Sequence, residues 1–334
     1  MNQSEACKVT VIVPLYNKAA YLGPALDSVL RQQADFRFRI VVADDCSTDG
    51  SLEIALQYQR EHPETISVLP SNQNRKLFKN IVRAYADIRT PYFCVLGPDD
   101  YWCDDHKLQK AVGFLDGHRE YTIYATDSIM LFPDGRQKRY IGRDSECDSS
   151  FPDFLNGCAV FGNALGTVFR NVVFNNGLPL KLRQDLRADQ EASFRGDTFL
   201  SVTHLHEGLC HYVPECDAVY RILGSGLWQS MSEFQQQLFN CMIMINLHEY
   251  FDGRYDVLRA RAYGGVLELK EKYWNFVCED KSSALSEVTL QMRDVLLRSA
   301  PRISANGCKW SVRRRIYYKL YRHLQKRMLR RGWL

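Results

Sequence analysis

The sequence predicts an α/β fold in which a mostly parallel sheet is flanked by helices. Short apolar runs, rich in β-branched residues, alternate with segments whose apolar residues recur at helical spacing. Four such runs and three helical segments follow one another from residue 8 to residue 96. This β-α-β alternation is typical of parallel strands joined by crossover helices. Ligands of such sheets bind beyond the carboxyl ends of the strands.

The elements follow in chain order from these two patterns. The predicted strands are residues 8–15, 37–45, 65–70 and 92–96. The predicted helices between them are residues 21–32, 47–62 and 76–89. A Ser-Thr-Asp cluster opens the second of these helices, as is common at a helix N-terminus. Beyond residue 230 the pattern is helical, with the clearest periodicity in residues 234–251 and 266–277.

Two acidic pairs, Asp44-Asp45 and Asp99-Asp100, end the second and fourth predicted strands. The carboxyl ends of parallel strands share one edge of a sheet, so we expect both pairs to border one crevice. Four carboxylates there repel unless a cation binds among them, and a divalent metal with a phosphate ligand suits such oxygens. A single pair could instead cap a helix or shape a turn. Neither GxGxxG nor GxxxxGK[ST] occurs, so a nucleotide must be held in another way.

Charge is distributed unevenly along the 334 residues. Residues 295–334 contain twelve of the 43 Lys and Arg and none of the 39 Asp and Glu, so an acidic body carries a basic tail. This balance argues against nucleic-acid binding by the body. The eleven cysteines form no CxxC pair, and the apolar N-terminal stretch is short and broken at Pro14. Reduced thiols and the lack of a signal-like segment predict a cytoplasmic location.

The last stretch, residues 309–334, combines ten Lys and Arg with an apolar row at four-residue spacing and several Tyr and Trp. This composition favours an amphipathic helix on an anionic membrane surface, which would place the protein peripherally on the cell membrane. The alternative is a helix packed on the acidic body of the protein. The sequence leaves both open.

Three N-terminal segments together resemble family 2 inverting glycosyltransferases, which have the GT-A fold. They are VTVIVPLYNKAAYLGPALDSVLRQ, IVVADDCSTDGS and LGPDDYW with its following KL. GNALGTVFR, GDTFL and VYRILGSGLW are similar to acceptor-side segments of that family. The resemblance implies residues 1–105 as a nucleotide-sugar-binding half and 106–229 as an acceptor-binding half of one GT-A domain. Residues 230–334 would be a helical C-terminal region ending in the basic helix.

The resemblance also implies roles for individual residues at the donor end. Pro14, Tyr16 and Asp45 would surround the base of a nucleotide sugar, with Asp45 accepting the N3–H of a pyrimidine. Asp99 would contact the ribose or the metal-bound pyrophosphate, and Asp100 would bind Mn²⁺ or Mg²⁺. Arg75 could add a basic contact to the donor.

Three positions depart from the family pattern. Gly97 stands where an Asp is frequent, two residues before the acidic pair, so the site must work with two carboxylates. Asn74 stands where Gly is common, which leaves the Arg75 contact less defined. Leu223 replaces a frequent His and removes an imidazole that could contact metal or phosphate.

Asp197, in GDTFL, is the predicted catalytic base, because it matches the acidic residue that begins an acceptor-side helix in the family. An ordinary helix N-cap is the alternative, and Asp189 and Glu191 are the reserve candidates. The segment HLHEGLCH lacks the HExxH spacing, so we interpret its histidines as structural and not as a zinc site.

The sequence therefore predicts a metal-dependent inverting glycosyltransferase. It would move a sugar from UDP or dTDP to a hydroxyl of a saccharide or lipid-linked glycan during polysaccharide or glycan synthesis. A nucleotidyltransferase and a catalytically silent nucleotide-sugar-binding scaffold are the alternatives.

Overall fold

The computed structural model describes residues 7–183, 197–224, 229 and 231–272, which fall into two compact units. Of the described residues, the first unit contains 7–183 and 200–223, and the second contains 197–199, 224, 229 and 231–272. The predicted basic helix and the reserve carboxylates Asp189 and Glu191 lie outside the described residues. The predicted division into a nucleotide-sugar-binding half, residues 1–105, and an acceptor-binding half, residues 106–229, stays a prediction.

Ten strands form one sheet in the first unit. They are β1 Cys7–Leu15, β2 Arg37–Asp44, β3 Ile66–Leu69, β4 Tyr92–Val95, β5 Tyr101–Trp102, β6 Tyr121–Leu131, β7 Gln137–Arg139, β8 Cys147–Ser149, β9 Thr167–Arg170 and β10 Leu209–Arg221. The first four confirm the strands predicted from the apolar runs.

Nine α-helices are described. They are α1 Ala19–Leu30, α2 Ser51–Glu61, α3 Lys76–Ala86, α4 Lys107–Gly117, α5 Phe151–Asn156, α6 Leu180–Arg183, α7 Asp197–Glu207, α8 Glu233–Tyr250 and α9 Asp256–Lys272. The three predicted N-terminal helices are confirmed. The segment predicted at 234–251 corresponds to α8.

The strands are ordered β3-β2-β1-β4-β9-β6-β10-β5, with β7 beside β6 and β8 beside β10. Strands β3, β2, β1 and β4 are parallel. Strand β9 then lies antiparallel between β4 and β6, while β6 and β10 pair in parallel. The sheet is thus parallel where the predicted donor site lies and mixed beyond it. This confirms the α/β class with a helix-flanked central sheet.

Alternate residues of each strand point to opposite faces of the sheet. Tyr92 and Cys94 of β4 belong to the core that α1 and α4 cover. Phe93, between them, faces Tyr85 of α3 and His204 of α7, with ring centroids 6.2 and 5.4 Å away. Helices therefore bury both faces of the sheet, which leaves its strand ends as the places where polar groups can bind a ligand.

The second unit is helical in its described part. Ser232 begins α8 with a capping box, in which its hydroxyl accepts from Gln235 N and the Gln235 side chain accepts from Ser232 N. Helix α9 approaches α8 closely at Gly265, where a Cβ would lie 2.5 Å from Cys241 Sγ. Within the described ranges, no helix has the length and apolar character needed to cross a membrane.

Candidate active site

The turn between β1 and α1, residues 16–18, contacts the loops that follow or carry the two acidic pairs. On one side, Asn17 N donates to Ser47 Oγ at 3.1 Å, and Thr48 N donates to Asn17 Oδ1 at 2.8 Å. On the other side, Lys18 Nζ lies 2.7 Å from Asp99 Oδ2. The loop after Asp44-Asp45 and the loop bearing Asp99-Asp100 therefore flank the same turn. This agrees with the expected position of both pairs at one edge of the sheet, whereas their forming one ligand site stays a prediction.

The two carboxylates of the first pair have different surroundings. Asp44 is fully buried, and its Oδ2 accepts from Cys46 N at 3.0 Å and Ser47 N at 3.2 Å, which shapes the loop. Its Oδ1 has no hydrogen-bond partner among the described residues. Asp45 is 2% exposed and accepts from Arg75 N at 2.7 Å. One oxygen of Asp44 thus builds the turn, and Arg75 fixes the direction of Asp45.

Arg75 is brought to Asp45 by its backbone. Its guanidinium is directed elsewhere, because Nε donates to Ser71 Oγ at 3.1 Å. Lys76, with φ 69°, lets the chain turn into α3 directly after this contact. The predicted neighbourhood of Arg75 and the donor base is consistent with this geometry, whereas a contact from the guanidinium to a donor stays a prediction.

Asn80 binds the carboxyl end of β2, the strand that carries Asp44. Its side-chain amide, buried in α3, donates to the carbonyl of Ala43 at 2.6 Å. Asp49 closes the loop from the other side by accepting from Ala19 N and Ser51 N, both at 3.0 Å. Burial opposes ionisation of Asp49, but the hydrogen bonds from Ser51 and Ala19 prevail and lower its pKa. These contacts hold the loop that carries Asp45 in one conformation.

The second pair is held by Arg221, the last residue of β10. Arg221 N donates to Asp100 Oδ1 at 2.9 Å, and its Nη1 donates to the carbonyl of Asp99 at 2.7 Å. The guanidinium lies 4.4 Å from the centre of the Tyr101 ring, a cation–π distance. Strand β10 therefore orients the acidic pair from the far half of the sheet. Arg221 is a site residue that the sequence interpretation missed, although it lies within the quoted segment VYRILGSGLW.

Gly97 leaves room for this arrangement. A Cβ on Gly97 would lie 2.5 Å from Asp100 Oδ2 and 3.3 Å from Asp99 Oδ1, so one oxygen of each carboxylate approaches the same small volume. Mg²⁺ and Mn²⁺ are commonly bound by one or two carboxylates, with the remaining positions taken by water and phosphate. The donor set therefore fits a divalent cation that completes its coordination with a nucleotide. Within the described ranges, no three His, Cys, Asp or Glu side chains are grouped to hold a metal without such a ligand.

Tyr16 and Pro14 lie where a planar base could approach. Pro14 pairs with Ala43 in the parallel register of β1 and β2, one residue before Asp44. Tyr16 follows at the end of β1 and is 44% exposed; among the large aromatic residues of the described ranges, only Tyr140 is exposed to a similar extent. An exposed ring beside the Asp45 loop suits stacking on a nucleobase.

About half of the chain matches a known protein family. The family description "Glycosyl transferase family 2" matches residues 10–175. TuaG of Bacillus subtilis is 32% identical to this chain over 225 residues, which cover 66% of this chain and 81% of TuaG. The name of TuaG assigns it, by inference, to the glycosyltransferases of teichuronic acid biosynthesis. The chain belongs to glycosyl transferase family 2.

Two further proteins resemble this family 2 member, one in sequence and one in structure. An uncharacterized protein of Mycobacterium tuberculosis is 29% identical over 66% of this chain and 61% of its own length, so the chain spans about three fifths of that relative. The crystal structure of S. aureus TarS residues 1–349 in complex with UDP-GlcNAc has a TM-score of 0.59 at 17% identity. It covers 88% of this chain and 82% of TarS 1–349. That likeness confirms the GT-A fold.

Asp197 is the first residue of α7 in this family 2 protein, and it is exposed. It belongs to the second unit, whereas the donor-end residues belong to the first. Its helix-initial position agrees with the sequence analysis. Its role as the base stays a prediction.

The histidines of HLHEGLCH have structural surroundings. His204 is fully buried, with its ring 5.4 Å from Phe93 and 4.8 Å from Phe169, and its Nδ1 contacts the Leu200 carbonyl at 2.7 Å. His211 stacks on Phe114 at 4.3 Å and pairs with Asp148 at 2.8 Å. These positions agree with the structural interpretation of both residues.

A buried ion pair behind the acidic loop is a second feature that the sequence interpretation missed. Lys107 Nζ lies 2.8 Å from Asp217 Oδ2, with both side chains at most 4% exposed. Thr126 donates to the other Asp217 oxygen at 2.7 Å, and the ammonium group lies 5.7 Å from the Trp102 ring. The pair joins α4 to β10 directly beneath β5. The only sequence signal was the Lys of KL, which follows the Asp99-Asp100 motif.

Proposed function

We propose that this chain transfers a sugar, with inversion and with a divalent cation, from a pyrimidine nucleotide sugar to a hydroxyl group. The acceptor is a saccharide or a lipid-linked glycan, and the product belongs to polysaccharide or glycan synthesis. The observation that carries the proposal is that the loop after Asp44-Asp45 and the loop bearing Asp99-Asp100 flank the same β1–α1 turn. The UDP-GlcNAc bound to TarS and the teichuronic acid role given to TuaG support the donor and product classes.

At the donor end, Asp45 and Tyr16 have separate tasks. Asp45, oriented by Arg75 N, accepts a hydrogen bond from the N3–H of uracil or thymine. Tyr16 covers the face of the base, and Pro14 borders it. Guanine also offers N–H donors, but on a different edge of a larger ring, so an Asp45 placed for the imide N3–H favours UDP or dTDP over GDP.

At the diphosphate, Asp99 and Asp100 would hold Mn²⁺ or Mg²⁺, with Asp100 as the direct ligand. The cation would neutralise the charge that grows on the leaving diphosphate. Arg221 N donates to the Asp100 carboxylate, and the Arg221 guanidinium donates to the main-chain carbonyl of Asp99, so Arg221 orients Asp100 and the backbone of Asp99. The loop thus arrives at the reaction already organised, which costs no rearrangement during transfer.

At the acceptor, Asp197 takes the hydroxyl proton. The acceptor oxygen forms a bond to the anomeric carbon on the face opposite the diphosphate, whose bond to that carbon breaks. The proton moves to the Asp197 carboxylate and the electron pair leaves with the diphosphate. A helix N-terminus favours the ionised form of such a carboxylate, which is the form that a base requires.

The donor assignment is tested by calorimetry with UDP, dTDP and GDP, each with Mn²⁺, with Mg²⁺ and with EDTA. We expect UDP or dTDP to bind more tightly than GDP. We also expect them to reach full affinity only when Mn²⁺ or Mg²⁺ is present. Asp100→Ala should remove most of the metal-dependent gain, whereas Asp134→Ala, on the exposed loop after β6, should not. Equal metal-dependent affinity in Asp100→Ala and wild type would contradict the assignment of Asp100.

The base is tested with Asp197→Asn, which keeps the shape and removes the basicity. Nucleotide and metal affinity should stay within about twofold, while transfer to the acceptor should fall by roughly 10²-fold or more. Turnover within a few-fold of wild type would exclude Asp197 and direct attention to Asp189 and Glu191. A protein that binds the donor but neither transfers nor hydrolyses its sugar would be a silent scaffold. Transfer of a nucleoside monophosphate from a nucleoside triphosphate, with release of pyrophosphate, would indicate a nucleotidyltransferase.

A further inference from the structure

The Lys18–Asp99 ion pair occupies the place where the proposed cation and diphosphate would bind. Lys18 Nζ is 2.7 Å from Asp99 Oδ2, and each side chain is 22% exposed, so the contact is shielded but open to solvent. Lys18 has no counterpart among the roles that the family resemblance assigns. Its charge is therefore unexplained by the donor and base assignments.

The backbone around Lys18 is fixed. Lys18 N donates to Ser51 Oγ at 2.8 Å, and its carbonyl accepts from Tyr21 N and Leu22 N as α1 begins. Asn17, just before it, has φ 50°, a left-handed conformation held by the contacts to Ser47 and Thr48. With its backbone held by these bonds, Lys18 can move through its flexible side chain, whose ammonium group lies at the acidic pair.

Positive charge already lies at the pair. Lys18 Nζ is ion-paired with the Asp99 carboxylate, and the Arg221 guanidinium lies close by, on the main-chain carbonyl of Asp99. A divalent cation that binds alone must take an oxygen from Lys18 or remain beside its ammonium group, which weakens binding. A nucleoside diphosphate offers Lys18 new oxygens, and Asp99 is then released for the cation.

We infer that Lys18 couples the two ligands by exchanging Asp99 for the diphosphate when the cation binds. The inference rests on the proposed function, both for the cation at Asp99 and Asp100 and for the diphosphate. It assigns Lys18 two opposite effects, since the same ammonium group competes with the cation and attracts the nucleotide. Because linkage is reciprocal, the nucleotide raises cation affinity by the same factor by which the cation raises nucleotide affinity.

The test measures Mn²⁺ alone, UDP with EDTA, and UDP with Mn²⁺, by calorimetry on the full chain. Lys18→Met should bind Mn²⁺ alone about fivefold more tightly and UDP without metal more weakly than wild type. The factor by which UDP and Mn²⁺ help each other should fall about fivefold. Lys18→Arg keeps the charge and should stay close to wild type.

Lys8→Met is the matched control. Lys8 forms an ion pair of the same length, 2.7 Å, with Asp116, at the other end of β1. We expect its three affinities to equal those of wild type. Mn²⁺ binding to Lys18→Met that is unchanged or weaker overturns the inference, whatever UDP does. Absence of UDP, dTDP and GDP binding by wild type overturns the proposed donor instead, and the Mn²⁺ arm separates the two failures.

Discussion

Gly97 shows how one missing side chain sets the geometry of the candidate site. The family pattern places a third carboxylate at this position, yet here Asp100 Oδ2 approaches the Gly97 backbone more closely than any Cβ would allow. Arg221 N holds the other oxygen of the same carboxylate at 2.9 Å. The glycine and the arginine together fix Asp100, so the loss of a third acid is accompanied by a tighter hold on the second.

The first prediction concerns Gly97→Ala. The added methyl group displaces Asp100 from Arg221, so metal-dependent UDP affinity should fall about tenfold, or about 1.4 kcal/mol. Gly113→Ala in α4 is the control, because a Cβ there meets nothing within 4 Å. That change should leave binding intact and stabilise the helix by about 0.5–1 kcal/mol. Calorimetry and urea denaturation measure the two effects, and equal UDP affinity in both variants would refute the role of Gly97.

At the scale of elements, α7 packs on the sheet through an imidazole. His204 contacts Phe93, Phe169 and Phe174, and its Nε2 has no hydrogen-bond partner among the described residues. Burial lowers the pKa of His204 to about 4, although the hydrogen bond to the Leu200 carbonyl acts in the opposite direction. The ring is therefore neutral in the folded protein at neutral pH and behaves as an aromatic core residue.

The second prediction follows from the sign of that pKa shift. An unfolded His titrates near 6.5, so between about pH 6.5 and 4 the unfolded chain binds a proton that the folded chain does not. The contribution of neutral His204 to the free energy of unfolding is complete above about pH 6.5 and is lost as the pH falls toward 4. His204→Phe should abolish this loss, which amounts to about 2 kcal/mol between pH 7 and 5.

Urea denaturation at both pH values measures this difference. His248, whose pKa burial also lowers, is present in both proteins, so its effect cancels in the comparison. His106→Gln is the control, because the His106 side chain is 56% exposed. A pH dependence of unfolding that is the same in His204→Phe and wild type would show that His204 makes no such contribution.

Elements differ in how far local sequence determines them. Strands β1 to β4 and helices α1 to α3 were predicted because each carries its own periodic apolar pattern within a few residues. The antiparallel pairing of β9 was not predicted, because Phe169 pairs with Phe93 and Ile123, which lie far from it in the chain. The same holds within the site. The Asp pairs follow from strand ends, but the contact of Arg221 with Asp100 spans 121 residues and leaves no local signature.

For the whole molecule, the uneven distribution of charge is the main feature that the described residues do not account for. The chain outside residues 295–334 carries 31 Lys and Arg against 39 Asp and Glu. Attraction of the basic tail to an anionic membrane would place the protein on the surface where lipid-linked acceptors are found. The tail lies outside the described residues, so both its membrane and its packed interpretations stay predictions.

The third prediction is that removal of residues 309–334 releases the protein from anionic vesicles and preserves UDP binding. The ten Lys and Arg of this segment have no acidic neighbour within it. Binding of the full chain should weaken with salt, because the Debye length falls from about 10 Å at 0.1 M to about 3 Å at 1 M. Co-sedimentation with anionic and neutral vesicles at both salt concentrations measures this. A tail packed on the body would instead give salt-insensitive recovery with both vesicles, and its removal would lower the thermal stability.

The contacts of Arg221 with Asp99 and Asp100 also determine when the candidate site can be completed during synthesis of the chain. Asp45, Asp99 and Asp100 leave the ribosome early, but β10 emerges more than a hundred residues after Asp100. Contacts of such sequence separation form late, after the loops that they close have been ordered. A nascent chain that ends before residue 209 carries every predicted donor residue and lacks the strand that aligns two of them. We therefore expect a chain that ends before β10 to bind a nucleotide and its cation more weakly than the full chain does.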